Sequence, residues 1–133
     1  MKYVIILTLL IASCQSKNKS PLEGKWEFER NELYPGVELN SFQDSMFKVL
    51  NEQQRGLTIS FKGKTFNASL VREGKTEPMG EQPFEIPGDQ KSLILKNRGR
   101  ADDIFPIVSI SDSVFKLNMF KSKEGYLVFR KKN

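Results

Sequence analysis

Side chains that could perform chemistry are scarce in this sequence. It contains no histidine and a single cysteine, Cys14, which excludes histidine-based nucleophilic triads and imidazole metal sites. Carboxylate pairs are the remaining option, and Asp102 and Asp103 form the most conspicuous one. Adjacent residues of an extended chain point in opposite directions, so we expect this pair to lie in a solvated loop. The sequence therefore predicts no catalytic residues, no metal site and no cofactor.

The residues before Cys14 are typical of an export signal. Lys2 precedes an apolar run over residues 4–11, and Ala12 and Ser13 are small. The run is much shorter than the roughly 20 residues that a bilayer-spanning helix needs. A basic start, an apolar middle and a small-residue end predict a cleaved signal peptide.

Residues 11–14 read Ile-Ala-Ser-Cys and resemble a bacterial lipobox. This resemblance implies removal of residues 1–13 and acylation of the Cys14 thiol, with residues 14–23 as a lipidated tether. Because several acyl chains give a durable anchor, the membrane becomes the expected partner. We expect an outer-membrane anchor with the protein facing the periplasm, because position 15 is not Asp and Lys17 and Lys19 replace the acidic run that the resemblance associates with surface export.

Length and charge restrict the mature chain to one small domain. Loss of residues 1–13 removes one lysine and no acid, so the net charge of +5 for 133 residues becomes +4 for 120. That length is typical of one domain. The lysines and arginines form no basic stripe with interleaved aromatics, so the sequence does not predict nucleic-acid binding. We expect a monomer.

Hydrophobic periodicity predicts one strand, one helix and then seven strands. Residues 25–29 alternate between polar and aromatic, as in a strand with one buried face. Residues 42–55 repeat apolar side chains at helical spacing, and Gly56 marks their end. After Gly56 the period changes to two, and tight turns follow at steady spacing. The sequence thus predicts a mainly β fold, an antiparallel eight-stranded meander closed into a barrel, with an amphipathic helix between the first and second strands. Residues 76–83 are predicted to be a loop.

The start of the first strand carries a family resemblance. Gly24-Lys25-Trp26 resembles the Gly-x-Trp signature of lipocalins, and Arg130 stands where that family places an arginine across the tryptophan ring. The layout is similar to that of small lipocalin-like lipoproteins of Bacteroidetes-type bacteria. The resemblance implies that residues 24–133 form the barrel domain, with Trp26 and Arg130 as a closing pair.

Aromatic residues on the predicted strands have two interpretations. They either fill the barrel as a solid core or line a pocket for a small apolar ligand. The helix is expected to dock its apolar stripe on the barrel. Two functions remain open: a ligand-binding module, or a protein-interaction or inhibitor module that uses the loops at 73–82 and 97–103. The candidate pocket residues are Phe28, Phe61, Phe66, Phe84 and Phe115.

Overall fold

A computed structural model describes residues 20–132, so the predicted signal peptide, Cys14 and most of the predicted tether lie outside the described residues. The chain folds as an antiparallel meander that closes into a barrel in the order β1 to β8. One helix, α1, lies between β1 and β2. The predicted fold class is confirmed. The elements are β1 (Gly24–Leu33), α1 (Ser41–Gln53), β2 (Leu57–Lys62), β3 (Thr65–Arg72), β4 (Lys75–Glu85), β5 (Ser92–Leu95), β6 (Asp103–Ile110), β7 (Val114–Leu117) and β8 (Gly125–Lys132).

The barrel closes where its first strand meets its last. In the β1–β8 register, Lys25 lies opposite Lys132 and Leu33 lies opposite Gly125. One end of the barrel therefore holds the start of β1 and the end of β8, and we call it the tether end because the chain arrives there from residue 20. The other end, which carries α1, is the helix end. No helix among residues 20–132 has the length and apolarity needed to cross a bilayer.

Inward-facing apolar side chains fill the barrel. On β2 the buried residues alternate with partly exposed ones, which is the period-2 pattern that the sequence shows. Rings pack on rings across the interior, with Phe61 at 5.0 Å from Phe84 and 6.1 Å from Phe115 between ring centroids. Tilted and edge-on ring contacts of this kind are favourable beyond the area they bury. The interior is a packed core.

The segment before β1 belongs to this core. Leu22 is fully buried and joins the same apolar cluster as Trp26. Its carbonyl oxygen accepts a hydrogen bond from Nε1 of Trp26 at 2.9 Å. Leu22, which the sequence analysis assigns to the tether, therefore packs against the core and closes the tether end of the barrel.

The prediction of a loop over residues 76–83 is wrong. These residues belong to β4, which pairs with β3 along Thr65–Arg72 but with β5 only through Phe84 and Glu85. Every residue from 71 to 81 is exposed. The β3–β4 hairpin therefore extends past the rest of the barrel at the helix end, and one backbone edge of β4 has no strand beside it over most of its length.

Candidate functional site: an apolar groove at the helix end

The helix that forms one wall of the groove begins at a well-defined cap. Asn40 is the N-cap, and its side chain accepts from the backbone N–H of Gln43 at 2.8 Å. The Gln43 side chain accepts in turn from the Asn40 N–H at 3.1 Å. This reciprocal pair is a capping box.

Polar contacts, not apolar packing, hold the helix to the barrel. Asn51 accepts from the backbone N–H of Asn31 on β1 at 2.7 Å, and Gln54 accepts from the Asn31 side chain at 2.7 Å. Gly56 then passes close under β3, where its carbonyl accepts from the Val71 N–H at 2.9 Å. The C-terminal end of α1 is thus fixed while its body stands away from the barrel.

The apolar stripe of α1 does not dock on the barrel, contrary to the sequence-based expectation. No residue of the helix is buried. The exposed fraction is 74% for Phe42, 47% for Met46 and 46% for Val49. Anchoring through the last turn leaves the first turns without a surface to cover. Large apolar groups left in water in one patch mark a binding surface.

A groove of about 350 Å³ separates this stripe from the barrel rim. Its far wall comes from the loop between β7 and β8, where Phe120 is 60% exposed. Its floor includes Leu127, a core residue of β8. Most of the lining is apolar. The lining residues are Asn31, Leu39, Phe42, Gln43, Met46, Phe47, Leu50, Phe120, Ser122, Glu124, Gly125 and Leu127.

Asn118 holds the loop that carries Phe120. Its side-chain N–H groups donate to the Ser122 carbonyl at 2.7 Å and to the Tyr34 hydroxyl at 3.1 Å. Its side-chain oxygen accepts from the Ser122 N–H at 2.9 Å. Asn118 is 4% exposed, so these bonds satisfy a buried amide. Our sequence analysis missed both Asn118 and Phe120, although an aromatic residue inside a lysine-rich turn was an available signal.

Among the described residues that line the groove, Glu124 is the only charged one. A hydrogen bond from the Ser122 hydroxyl, 2.7 Å long, is the main cause that lowers the pKa of the Glu124 carboxyl below its usual value. The carboxylate therefore stays ionised at the groove rim. The chemical character of the groove is an apolar body with one anionic edge.

An ionic cluster braces the strands next to the groove. The Tyr126 hydroxyl donates to Oε1 of Glu32 at 2.7 Å, and Nζ of Lys116 lies 3.1 Å from the same oxygen. These two hydrogen bonds are the main cause that lowers the pKa of Glu32 to about 2. Burial, and then the hydrogen bond to Glu32, raises the pKa of Tyr126 to about 12.

The five phenylalanines predicted as pocket lining lie elsewhere. Phe28, Phe61, Phe66 and Phe115 are buried in the core cluster. Phe84 is half-buried and borders a shallow cavity at the tether end, beside Ile86 and Pro87. None of the five lines the helix-end groove. Their rings face one another inside the barrel, which is the solid-core interpretation of the same residues.

The structure places the two residues of the predicted closing pair, Trp26 and Arg130, on different faces of the barrel wall. Trp26 is fully buried, but the cation over its ring is Nζ of Lys131, 5.2 Å from the centroid. Arg130 lies on the outer face and pairs with Glu29 at 3.1 Å. In the observed register Lys131 lies opposite Trp26, and side chains alternate between the two faces of a strand. A difference of one residue therefore puts Arg130 outside.

Two solved structures share this fold. A lipocalin-like protein from Bacteroides uniformis has a TM-score of 0.54 and 14% identity, and the match covers 85% of this chain and all of that one. An uncharacterized protein from Bacteroides eggerthii has a TM-score of 0.55 and 15% identity over 84% and 99% of the two chains. No family model and no curated protein matches the sequence. At these identities the likeness concerns the fold, which is lipocalin-like.

Among residues 20–132, no cluster of three or more metal-ligating side chains is present. Asp102 and Asp103 lie at the β5–β6 loop, where Asp102 pairs with Lys96 at 3.1 Å and Asp103 accepts from Asn97 at 2.9 Å. Both acids are thus engaged with neighbours of the same loop. The groove at the helix end can bind an apolar group, and we assign no reaction to it.

Proposed function

We propose that this chain is a lipid-anchored protein of the cell envelope whose lipocalin-like barrel holds a small apolar ligand in the helix-end groove. The proposal includes no catalytic step and no cofactor. The observation that carries it is the unpacked apolar stripe of α1, which faces a rim of further apolar side chains across a groove of about 350 Å³. Pockets for small ligands begin at about 300 Å³ and are lined mainly by apolar groups.

Because side chains fill the barrel, the proposed binding site lies at the rim and not in the interior. Phe61 and Phe115 pack against each other inside the barrel and occupy space that a ligand in the interior would need. The groove lies above this core and shares Leu127 with it. A ligand there would cover Met46 and Phe42 and would replace water on both walls. Burial of that surface supplies the affinity, at about 25 cal/mol per Å².

A dye titration with two matched variants tests the groove. The probes are the uncharged dye N-phenyl-1-naphthylamine and a saturated fatty alcohol that competes with it, because an anionic probe would be repelled by Glu124. Met46→Ser removes an apolar side chain that lines the groove, and Val49→Ser removes one of equal exposure on the same helix that does not. We expect Met46→Ser to weaken saturable binding about 5- to 10-fold and Val49→Ser to leave it within about twofold.

Equal losses in the two variants would show that the dye binds the exposed stripe without using the groove. Absence of saturable binding by either probe would remove the ligand from the proposal. Because both side chains are exposed, the substitutions should leave the melting temperature almost unchanged.

The anchor is tested separately. Cys14→Ala should give an unprocessed precursor that takes up no labelled palmitate, whereas the unchanged chain is labelled. Incorporation of label into the variant would contradict acylation at Cys14. Protease treatment of intact cells tests the proposed outer-membrane location with the protein facing the periplasm, and rapid digestion there would place the protein on the cell surface.

The β3–β4 hairpin supports a second candidate function, a protein-interaction module. It projects from a sealed barrel, residues 71–81 are all exposed, and Met79 at its bulge is 61% exposed. A photo-crosslinking amino acid placed at position 79 should then capture a protein in the intact envelope. The same group placed at position 46 serves as the comparison. Protein adducts from position 79 alone would favour this alternative over the groove.

A further inference from the structure

Two lysines face each other across the barrel seam without an acid between them. Lys25 on β1 lies directly opposite Lys132 on β8, and both are exposed on the outer face. Like charges in directly opposed positions destabilise a sheet. Lys62 stands diagonally from Lys25, because Ser60 is the residue paired with Lys25. The fold therefore concentrates positive charge at the tether end at a cost in stability.

Several cations elsewhere in residues 20–132 are paired with an acid. Lys48 pairs with Asp44 at 3.3 Å, Lys96 with Asp102 at 3.1 Å, and Lys116 with Glu32 at 3.1 Å. The ion pairs formed among residues 20–132 include none to Lys25, Lys62, Lys64 or Lys132.

Two acids are nearby. Glu23 accepts from the Gly63 N–H with both oxygens at 3.2 Å, and Glu27 lies two residues along β1 from Lys25. They leave the patch of Lys25, Lys62, Lys64 and Lys132 with an excess of positive charge.

A polar groove begins between the two opposed lysines. It has a volume of about 510 Å³ and runs over the outer face of β2 and β3. Lys25 and Lys132 line it together with the hydroxyls of Thr58, Ser60 and Ser69, and no acid is among its lining residues. Ammonium groups beside hydroxyl donors suit the oxygens of a phosphate.

We propose that this lysine patch is a contact surface for the phosphate headgroups of anionic phospholipids. The choice of a membrane follows from continuity: the described chain begins at Ser20, five residues before Lys25 and at the same end of the barrel. Six residue steps lead from Cys14 to Ser20, a reach of about 20 Å when fully extended. An anchor at Cys14 therefore keeps the patch near lipid, and each lysine close to an anionic surface strengthens the attraction about fivefold.

This inference uses the proposed anchor only to choose the membrane over other anions, and it can be tested without acylation. The protein is the mature chain, residues 14–133 with Cys14→Ser, which holds all eight strands and the helix. Sedimentation is measured with vesicles of phosphatidylcholine alone and with vesicles that also contain phosphatidylglycerol. We expect binding to the anionic vesicles only, weakening as salt is added.

A charge-matched pair of variants locates the contact. Lys25→Gln with Lys132→Gln removes two charges from the patch and should weaken anionic-vesicle binding about 10- to 30-fold. Lys75→Gln with Lys123→Gln removes two exposed charges at the helix end and should change binding less than about twofold. Equal losses in the two double variants would overturn the proposal, as would equal binding to both vesicle types.

Two further measurements are needed. One distinguishes a membrane from a free phosphate as the partner, and the other tests whether the opposed lysines destabilise the fold. Glycerol phosphate should not raise the melting temperature in a saturable way. If it does, the groove holds a free anion and the membrane assignment is wrong. Lys132→Gln alone should raise the melting temperature without vesicles, because it relieves the opposed pair. A lower melting temperature would contradict the claim that the two opposed lysines destabilise the sheet. Failure of the dye titration at the helix end bears on none of these outcomes.

Discussion

The two ends of the barrel use their apolar residues in opposite ways. At the tether end Leu22 and Trp26 are fully buried, and Lys131 covers the ring with its ammonium group. At the helix end Phe42, Met46 and Phe120 remain exposed around a groove. The strands are continuous between the two ends, so this difference does not come from the barrel itself. It comes from what the connecting segments do: one is folded into the core, and the other is held away by its polar contacts.

Truncating one aromatic residue at each end tests this difference between the two ends most directly. Trp26→Ala should lower the free energy of unfolding by about 3–5 kcal/mol, because it leaves a cavity where a fully buried ring and its hydrogen bond to Leu22 were. Phe42→Ala should change it by less than about 0.5 kcal/mol, because that side chain is 74% exposed. Urea denaturation measures both, and similar losses would mean that the helix stripe is packed in solution.

A second prediction concerns the hinge that holds α1 away from the barrel. Gly56 has φ of +86°, and a Cβ there would stand 2.0 Å from the Val71 carbonyl oxygen. Gly56→Ala should therefore cost about 2–4 kcal/mol of stability, the sum of backbone strain and displacement of β3.

Gly36 is the matched control for this hinge. Its φ is +82°, but no atom lies within 4 Å of an added Cβ. Gly36→Ala should cost only the strain, about 1 kcal/mol. Equal midpoints in thermal unfolding of the two variants would show that the chain at Gly56 shifts without cost.

A third prediction uses acid to weaken the helix-end side of the barrel. Glu32 has its pKa lowered to about 2 from an ordinary value of 4.5, so its ionised form stabilises the fold above pH 4.5. That contribution is lost as the pH falls toward 2. Because the carboxylate side chain is 30% exposed, we expect about 1–2 kcal/mol. At pH 7 the Glu32→Gln variant should be less stable than the unchanged protein. Between pH 5 and pH 2 the variant should lose less stability than the unchanged protein loses. Parallel pH profiles would contradict the assignment.

The smallest predicted effect distinguishes Lys131 from Arg130 at the tether end. A double-mutant cycle of Trp26→Phe with Lys131→Met should give a coupling of about 0.5 kcal/mol, the size expected for a partly exposed cation–π contact. The same cycle with Arg130→Met should give a value near zero, because Arg130 is bonded to Glu29 on the outer face. A larger coupling to Arg130 would restore the lipocalin-type closing pair.

The sequence was sufficient for the elements with strong periodicity. The alternation at Leu57–Lys62 predicts β2 correctly, because it reflects which face of the strand meets the core. The helical spacing after Phe42 also predicts α1 correctly, although the apolar face of that helix meets no core. Residues 76–83 of β4 were predicted to be a loop, since Thr-Glu-Pro-Met-Gly-Glu-Gln-Pro has no alternation: a hairpin that leaves the barrel has no buried face to record. The predicted cation, Arg130, differs by one residue from the observed one, Lys131, and one residue in a strand exchanges the inner and outer faces.

The site was harder to predict than the fold. Helical periodicity shows that the stripe of Phe42 and Met46 exists but says nothing about what it faces. That depends on Asn51 and Gln54, which are polar residues without a pattern of their own. The opposite wall depends on Asn118, which becomes informative only once Tyr34 and Ser122 are beside it.

The length of β1 sets a height. Its ten residues run from the tether end to the helix end, a path of about 33 Å along the strand and about 25 Å along the axis of a barrel with strands tilted by about 40°. If the chain is anchored at Cys14 and the lysine patch contacts lipid, as we propose, the apolar groove would stand clear of the bilayer by that distance. It is then too far out to draw an apolar molecule directly from the membrane that anchors it. The ligand would then reach the groove from the aqueous side, by transfer from a carrier or from a facing surface. The length of β1 would set the width of the gap that this transfer can span.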